Sequence, residues 1–224
     1  MTAFALILFF NVFAATEANA QGILNQILNK MDEHNKALKS LRANVTMVKF
    51  NDQLKETDTT EGRAIYVPAK GRDALIRIDW TKPVQESLAV VNKEYIIYRP
   101  RLNQAVVGKV DAKASQGKGA NNALAFINMS KEQLKANYTV RYLGQENVGS
   151  TPTWHLELTP KNATSYKLAE LWVDGNGMPI QAKVVENNND WTTVRLYDLQ
   201  KNVSVNPKVD IPITPPKGTK IIKG

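Results

Sequence analysis

The sequence predicts an α+β domain in which an amphipathic helix precedes a long antiparallel meander. Three observations carry this. From Asp73 to Asp198 apolar and polar residues alternate through one segment after another, as in Leu75-Ile76-Arg77-Ile78-Asp79-Trp80, Trp154-His155-Leu156-Glu157-Leu158 and Leu171-Trp172-Val173-Asp174, the period-two pattern of strands buried on one face. Links as short as Asn92-Lys93 cannot make the crossovers that parallel strands need. Upstream, Ile23, Ile27, Met31, Leu38 and Leu41 recur at helical spacing, the apolar stripe of a helix lying on a core.

The chain opens with an apolar run, Phe4 to Phe13, that leads to Ala18-Asn19-Ala20. Small residues at the first and third positions before a break fit the signal-peptidase cleft, so residues 1–20 read as a signal peptide cleaved after Ala20. The basic start usual for such a segment is missing, since no Lys or Arg precedes Lys30. Residues 21–224 make one domain with enough chain for a core of its own. The sequence holds no cysteine, which excludes disulfides, thiolate metal sites and a lipid anchor on a cysteine after the cleavage site. The expectation is a protein released into the periplasm. The net charge is +8, and loss of Glu17 with the signal raises it. Its Lys and Arg residues are spread rather than gathered on one element, unlike a nucleic-acid reader, and the excess suits anionic headgroups or acidic proteins.

In order along the chain, Gly22 to Leu41 is the expected helix, with Leu24 and Leu28 widening the stripe and His34 on its apolar side. Strands are expected at 42–50, 61–67, 75–80, 86–91 and 94–98, with a polar turn over Asn51 to Thr60. Lys109 to Asn122, rich in Lys, Gly, Ala, Ser and Asn, reads as a mobile loop. One or two short helices follow between Ala120 and Asn137, where Ser130-Lys131-Glu132-Gln133 has the form of a capping box. Further strands are expected at 138–145, 153–159, 167–174, 181–187 and 192–199, with Asp174-Gly175-Asn176-Gly177 as a hairpin turn. Pro212, Pro215 and Pro216 confine the tail, Val209 to Ile222, to a sheet edge or a last short strand.

Catalytic machinery is hard to assemble from this composition. The two histidines, His34 and His155, lie on different elements, and neither sits in a Gly-x-Ser-x-Gly turn. Asp79, Glu157, Glu170 and Asp174 are carboxylates of the right type for a glycosidase pair, yet each is accounted for as the polar half of an alternating strand. No metal-ligand spacing occurs, and no cofactor is expected. Trp80, Trp154 and Trp172 sit amid Leu, Ile and Val, a setting for a dry interior rather than a base-stacking surface. The sequence describes a sheet with more apolar face than its helices can cover.

The order of elements then carries a resemblance. A helix ending in Ser40-Leu41-Arg42-Ala43 is followed by Ile78-Asp79-Trp80-Thr81-Lys82-Pro83, Tyr98-Arg99-Pro100-Arg101-Leu102-Asn103-Gln104 and Trp154-His155-Leu156-Glu157-Leu158-Thr159-Pro160, and the chain closes on Ile211-Pro212-Ile213-Thr214-Pro215-Pro216-Lys217-Gly218. Over residues 21–224 this resembles the periplasmic outer-membrane lipoprotein carrier family, LolA. The resemblance implies a strongly curved, open antiparallel half-barrel with helices covering its concave face. It also implies an apolar cavity for lipoprotein acyl chains or other lipids, and a monomer without enzymatic activity that comes only transiently close to membranes. Its partners would be an inner-membrane lipoprotein-releasing transporter and an outer-membrane receptor. One departure stands out. The family's early Arg-Pro turn, whose arginine bonds the lid, reads Tyr66-Val67-Pro68 here, leaving Arg63, Arg72 or Arg77 as substitutes. A sensory or structural protein-binding domain of the same fold is the alternative. By alternation, the residues expected to line the cavity are Ile76, Ile78, Trp80, Leu88, Val90, Ile97, Trp154, Leu156, Leu158, Leu171 and Val173, joined by Phe126 from the helical insert. A slip of one residue in any strand would turn its set to the other face.

Overall fold

The computed structural model describes residues 13–68, 74–110, 126 and 129–224, with the backbone alone over 13–20. Helix α1 spans Phe13–Ala37. Six strands follow at Leu41–Asn51 (β1), Glu56–Val67 (β2), Leu75–Lys82 (β3), Glu86–Val91 (β4), Glu94–Arg99 (β5) and Gln104–Lys109 (β6). A short helix, α2 (Lys131–Asn137), leads into β7 (Tyr138–Val148), β8 (Thr151–Pro160), β9 (Tyr166–Asp174), β10 (Pro179–Glu186), β11 (Trp191–Lys201) and β12 (Lys220–Lys223). These strands form one open, curved sheet in the order β12-β6-β5-β4-β3-β2-β1-β11-β10-β9-β8-β7, two meanders joined where β1 pairs with β11. The α+β half-barrel is therefore the fold, with both helices on one face.

Local chemistry accounts for the joints. Asn92 and Lys93 link β4 and β5 with φ of 51° and 65°, the left-handed pair that a two-residue hairpin requires. At the β9–β10 turn the Asp174 carboxylate accepts from the amides of Asn176 (2.9 Å) and Met178 (2.8 Å). The capping box is present: Ser130 Oγ accepts from the Gln133 amide at 3.2 Å, and Gln133 Oε1 accepts from the Ser130 amide at 2.9 Å.

Several boundaries differ from expectation. Helix α1 begins at Phe13 rather than Gly22 and is continuous through Ala20-Gln21. It ends at Ala37 because Asn202, just beyond the end of β11, takes over the polar groups there. The Asn202 side chain donates to the Ala37 carbonyl at 3.4 Å and accepts from the Lys39 amide at 2.7 Å, which frees Leu41 to open β1. The turn expected over 51–60 is shorter, since β2 starts at Glu56. Strand β6 fills a stretch for which the sequence pattern predicts no strand. The loop expected from Lys109 lies outside the described residues except for Lys109, which closes β6, and Val110.

The tail makes the largest departure. β12 pairs with β6 in parallel, Lys220 beside Gln104 and Lys223 beside Val107, so the sheet is not wholly antiparallel. To reach that edge the chain crosses the face opposite the helices. Ser40 Oγ donates to the Val203 carbonyl (2.5 Å), Arg42 meets Asp210 (2.8 Å) and Arg77 Nη1 donates to the Pro212 carbonyl (3.0 Å). Ile211 is fully buried there. Prolines suit such a strap, which needs no ladder of amide donors.

Candidate functional site

The registers place every expected strand residue on one face. Directly opposed residues of neighbouring strands share a face, and the pairings Ile97–Leu88, Leu88–Ile78, Ile78–Ala64 and Ala64–Ala43 run from β5 to β1. On the other meander Val194–Ala182, Ala182–Leu171, Leu171–Leu156 and Leu156–Tyr142 run from β11 to β7, and Met47 opposite Val194 joins the two. Val90 opposes Ile76, Trp154 opposes Val173, and Trp80 and Leu158 share strands with Ile78 and Leu156 at the same parity. No strand has slipped. Sequence reading left out Tyr66, Val106 and Val140, which extend the same rows opposite Ile76, Ile97 and Leu158. Tyr66 and Val106 lie in unbroken apolar runs whose phase alternation cannot fix.

This face has two unlike parts. Over β7–β10, α1 lays Leu24, Ile27, Leu28 and Met31 against the sheet, and Leu156, Leu158, Leu171 and Val173 have no exposure left. Phe126 is buried beside them, its ring 5.5 Å from Tyr138 and 6.2 Å from Tyr166, whose hydroxyls bond each other at 2.5 Å. Burial pushes both phenols above their ordinary pKa. Helix α1 packs closely on α2 and β7. Over β2–β5, Tyr66, Ile76, Leu88, Val90 and Ile97 are only half-buried, while Ile78 and Trp80 are buried between the two parts. Gly62 makes room for the Trp80 ring, since a Cβ there would stand 3.0 Å from it and closer still to the backbone of β3. Trp154 is half-buried, with Lys30 Nζ 5.6 Å above its ring. Four expected residues are thus closed beneath α1, and four more lie on an apolar surface that keeps contact with solvent.

Helix α1 is fastened to the sheet at the β9–β10 turn. Lys30 Nζ donates to the Gly175 carbonyl at 3.0 Å, and Gly177, with φ of 83°, lies against the helix backbone at Lys30 and Met31. His34 lies half-buried on α1, and its Nε2 has no hydrogen-bond partner. Burial first, and Lys201 second, lower its pKa from the ordinary 6.5, against the smaller opposing pull of Asp174.

Over β7–β9 the opposite face carries a polar cluster. His155 stands between Glu146 (3.1 Å) and Glu170 (2.7 Å) and stacks on Trp172 at 4.3 Å. His155 faces away from Leu156, as alternation predicts, whereas Trp172 is on this side and not in the dry interior with Trp80. Its indole donates to Glu146 at 2.9 Å. The four carboxylates weighed for catalysis have structural partners: Asp79 holds Arg77 and Ser87, Glu157 meets Arg141, Glu170 meets His155 and Lys183, and Asp174 caps its turn. Among the described residues no group of three or more His, Asp or Glu side chains is arranged to hold a metal ion. Arg63 and Arg77 pair across β2–β3 with Asp79 and Ile65 respectively, so both stand on the face away from the helices and neither can bond a lid there. Arg72 lies outside the described residues.

A family model described as an uncharacterized protein matches residues 85–206, more than half of the chain. No curated protein sequence matches. Among solved structures, an uncharacterized conserved protein from Thermus thermophilus superposes with a TM-score of 0.56 at 14% identity, covering 90% of this chain and 99% of that one. MucB superposes with a TM-score of 0.54 at 14% identity, covering 88% of this chain and 64% of that one. A LolA superfamily protein from Nitrosomonas europaea matches at a TM-score of 0.43 and 15% identity, over 84% of this chain and 97% of that one. The fold is shared with the Thermus thermophilus protein and with MucB.

Proposed function

The chain belongs to the uncharacterized family whose model spans residues 85–206, and from that membership, its half-barrel fold and its open apolar face we propose that it is a periplasmic carrier of acyl chains. It binds the chains of lipoproteins or related lipids, catalyses nothing, and delivers its cargo from an inner-membrane transporter to an outer-membrane receptor. The observation that carries this reading is the half-buried pair Ile76–Val90 with its neighbour Leu88–Ile97, apolar side chains that keep contact with solvent.

The energetics fit such a task. A methylene contributes about 0.8 kcal/mol on leaving water, so an acyl chain of ordinary length resists transfer into water by on the order of 10 kcal/mol. A carrier must match most of that and still let go. A shallow row of branched side chains does both, because it buries one side of a chain without enclosing it. The fully packed part over β7–β10 serves as the rigid wall against which the open part is held. That same packed part favours a second reading, a periplasmic protein-binding domain of this fold.

Leu88→Asp combined with Ile97→Asp tests the choice. Circular dichroism checks that the variant is folded, and a loss of at least tenfold in affinity for a fluorescent fatty-acid probe is expected. A folded variant that binds the probe as the wild type does refutes the carrier reading and favours the protein-binding one.

A further inference from the structure

The sheet edge at β12 combines charge and grease in a way the carrier reading does not use. Residues 100–108, which form the β5–β6 turn and most of β6, and residues 211–224 contain no Asp or Glu, but they contain Arg101, Lys217, Lys220 and Lys223. The two segments are tied together at Asn103. Its carbonyl accepts from the Lys220 amide at 2.9 Å, its side-chain amide donates to the Gly218 carbonyl at 3.1 Å, and its side-chain oxygen accepts from Thr219 Oγ1 at 3.2 Å. All four basic residues are exposed, and none is ion-paired among the described residues, whereas Arg42, Arg77, Arg99 and Arg141 are. Between them stand two large apolar side chains with no cover, Leu102 at 60% exposure and Ile221 at 55%.

We propose that this edge seats the protein on an anionic lipid surface, the four cations reaching the headgroups and Leu102 and Ile221 entering the interface. The inference rests on the carrier reading and places the loading mouth of the apolar face. Ile222 lies opposite Val106 and Val106 opposite Ile97, so the half-buried rows end at the edge that meets the lipid. No helix among the described residues is long and apolar enough to cross a membrane. A basic residue close to an anionic leaflet changes partitioning by about fivefold, and the effect fades within a Debye length.

The test is flotation of the protein with phosphatidylcholine vesicles, with and without phosphatidylglycerol, alongside probe uptake in vesicle-free buffer. Wild type is expected to float with the anionic vesicles and to detach as salt rises. Lys217→Ala with Lys220→Ala and Lys223→Ala should weaken this by about a hundredfold, and Leu102→Ser with Ile221→Ser should weaken it further at high salt. Neither set should change probe uptake. Equal flotation on neutral vesicles, or wild-type flotation of the lysine variant, overturns the docking edge. Failure of probe uptake in the wild type overturns the carrier reading instead. Binding to an acidic protein without any vesicle binding also overturns the docking edge.

Discussion

Replacing Gly177 by alanine should lift α1 from the sheet, and the structure gives the size of the effect. Gly177 has φ of 83°, a conformation that costs an L-residue about 1–2 kcal/mol. An added Cβ would also overlap the Lys30 carbonyl and stand 2.8 Å from the Met31 nitrogen. These are backbone atoms of a helix, which cannot rotate away, so the turn and helix must separate, at a cost comparable to core overpacking, about 1–3 kcal/mol. The sum is about 3 kcal/mol, which for a chain of this length lowers Tm by roughly 9 °C. Gly175 in the same turn is the internal control, because a Cβ there meets nothing within 4 Å, and Gly175→Ala should melt with the wild type. Thermal unfolding followed by circular dichroism reads both. Equal Tm values for the two variants would refute the claim that this turn clamps the helix. If the clamp is real, Gly177→Ala should also admit an acyl probe to Leu156 and Leu171, otherwise closed beneath α1.

Two further tests address the interior. His34 has its pKa lowered in the folded state, chiefly by burial, from an ordinary value of 6.5. The unfolded chain therefore takes up the proton first as pH falls, so stability is fully present above about pH 6.5 and declines below it. The Tm of His34→Leu should lose that decline over the same range, and an unchanged pH profile would exclude His34 as its source. Tyr138→Phe leaves the buried Tyr166 hydroxyl without the partner it holds at 2.5 Å and should cost about 1–3 kcal/mol, whereas the double Tyr138→Phe, Tyr166→Phe variant should cost less than Tyr138→Phe alone. Urea titration of the wild type and the two variants checks this, and a double variant no more stable than Tyr138→Phe would contradict it.

Much of this architecture was legible because the sheet is built from local hairpins. Strands such as β3, β7, β8 and β10 alternate strongly enough to fix their own phase, and turns such as Asn92-Lys93 and Asp174-Gly175-Asn176-Gly177 fix the pairing. What escaped depends on distant partners. β6 has only Ala105, Val106 and Val107 between polar or glycine residues, too weak a pattern to separate from a loop. The end of α1 is set by Asn202, and the parallel pairing of β12 by a strap across the whole outer face. Trp172 looked like its neighbours in an apolar run, Leu171-Trp172-Val173, and only register with His155 turns it outward. The candidate rows were legible residue by residue, but their division into a closed part and an open part was not, because it depends on where α1 settles.

The most direct test of the carrier account is native mass spectrometry, with lipid extraction, on the protein purified from periplasm without detergent. The account expects lipid or acylated peptide bound in near-stoichiometric amount and lost on Leu88→Asp with Ile97→Asp. A bare protein mass that stays unchanged after mixing with triacylated peptide would contradict it.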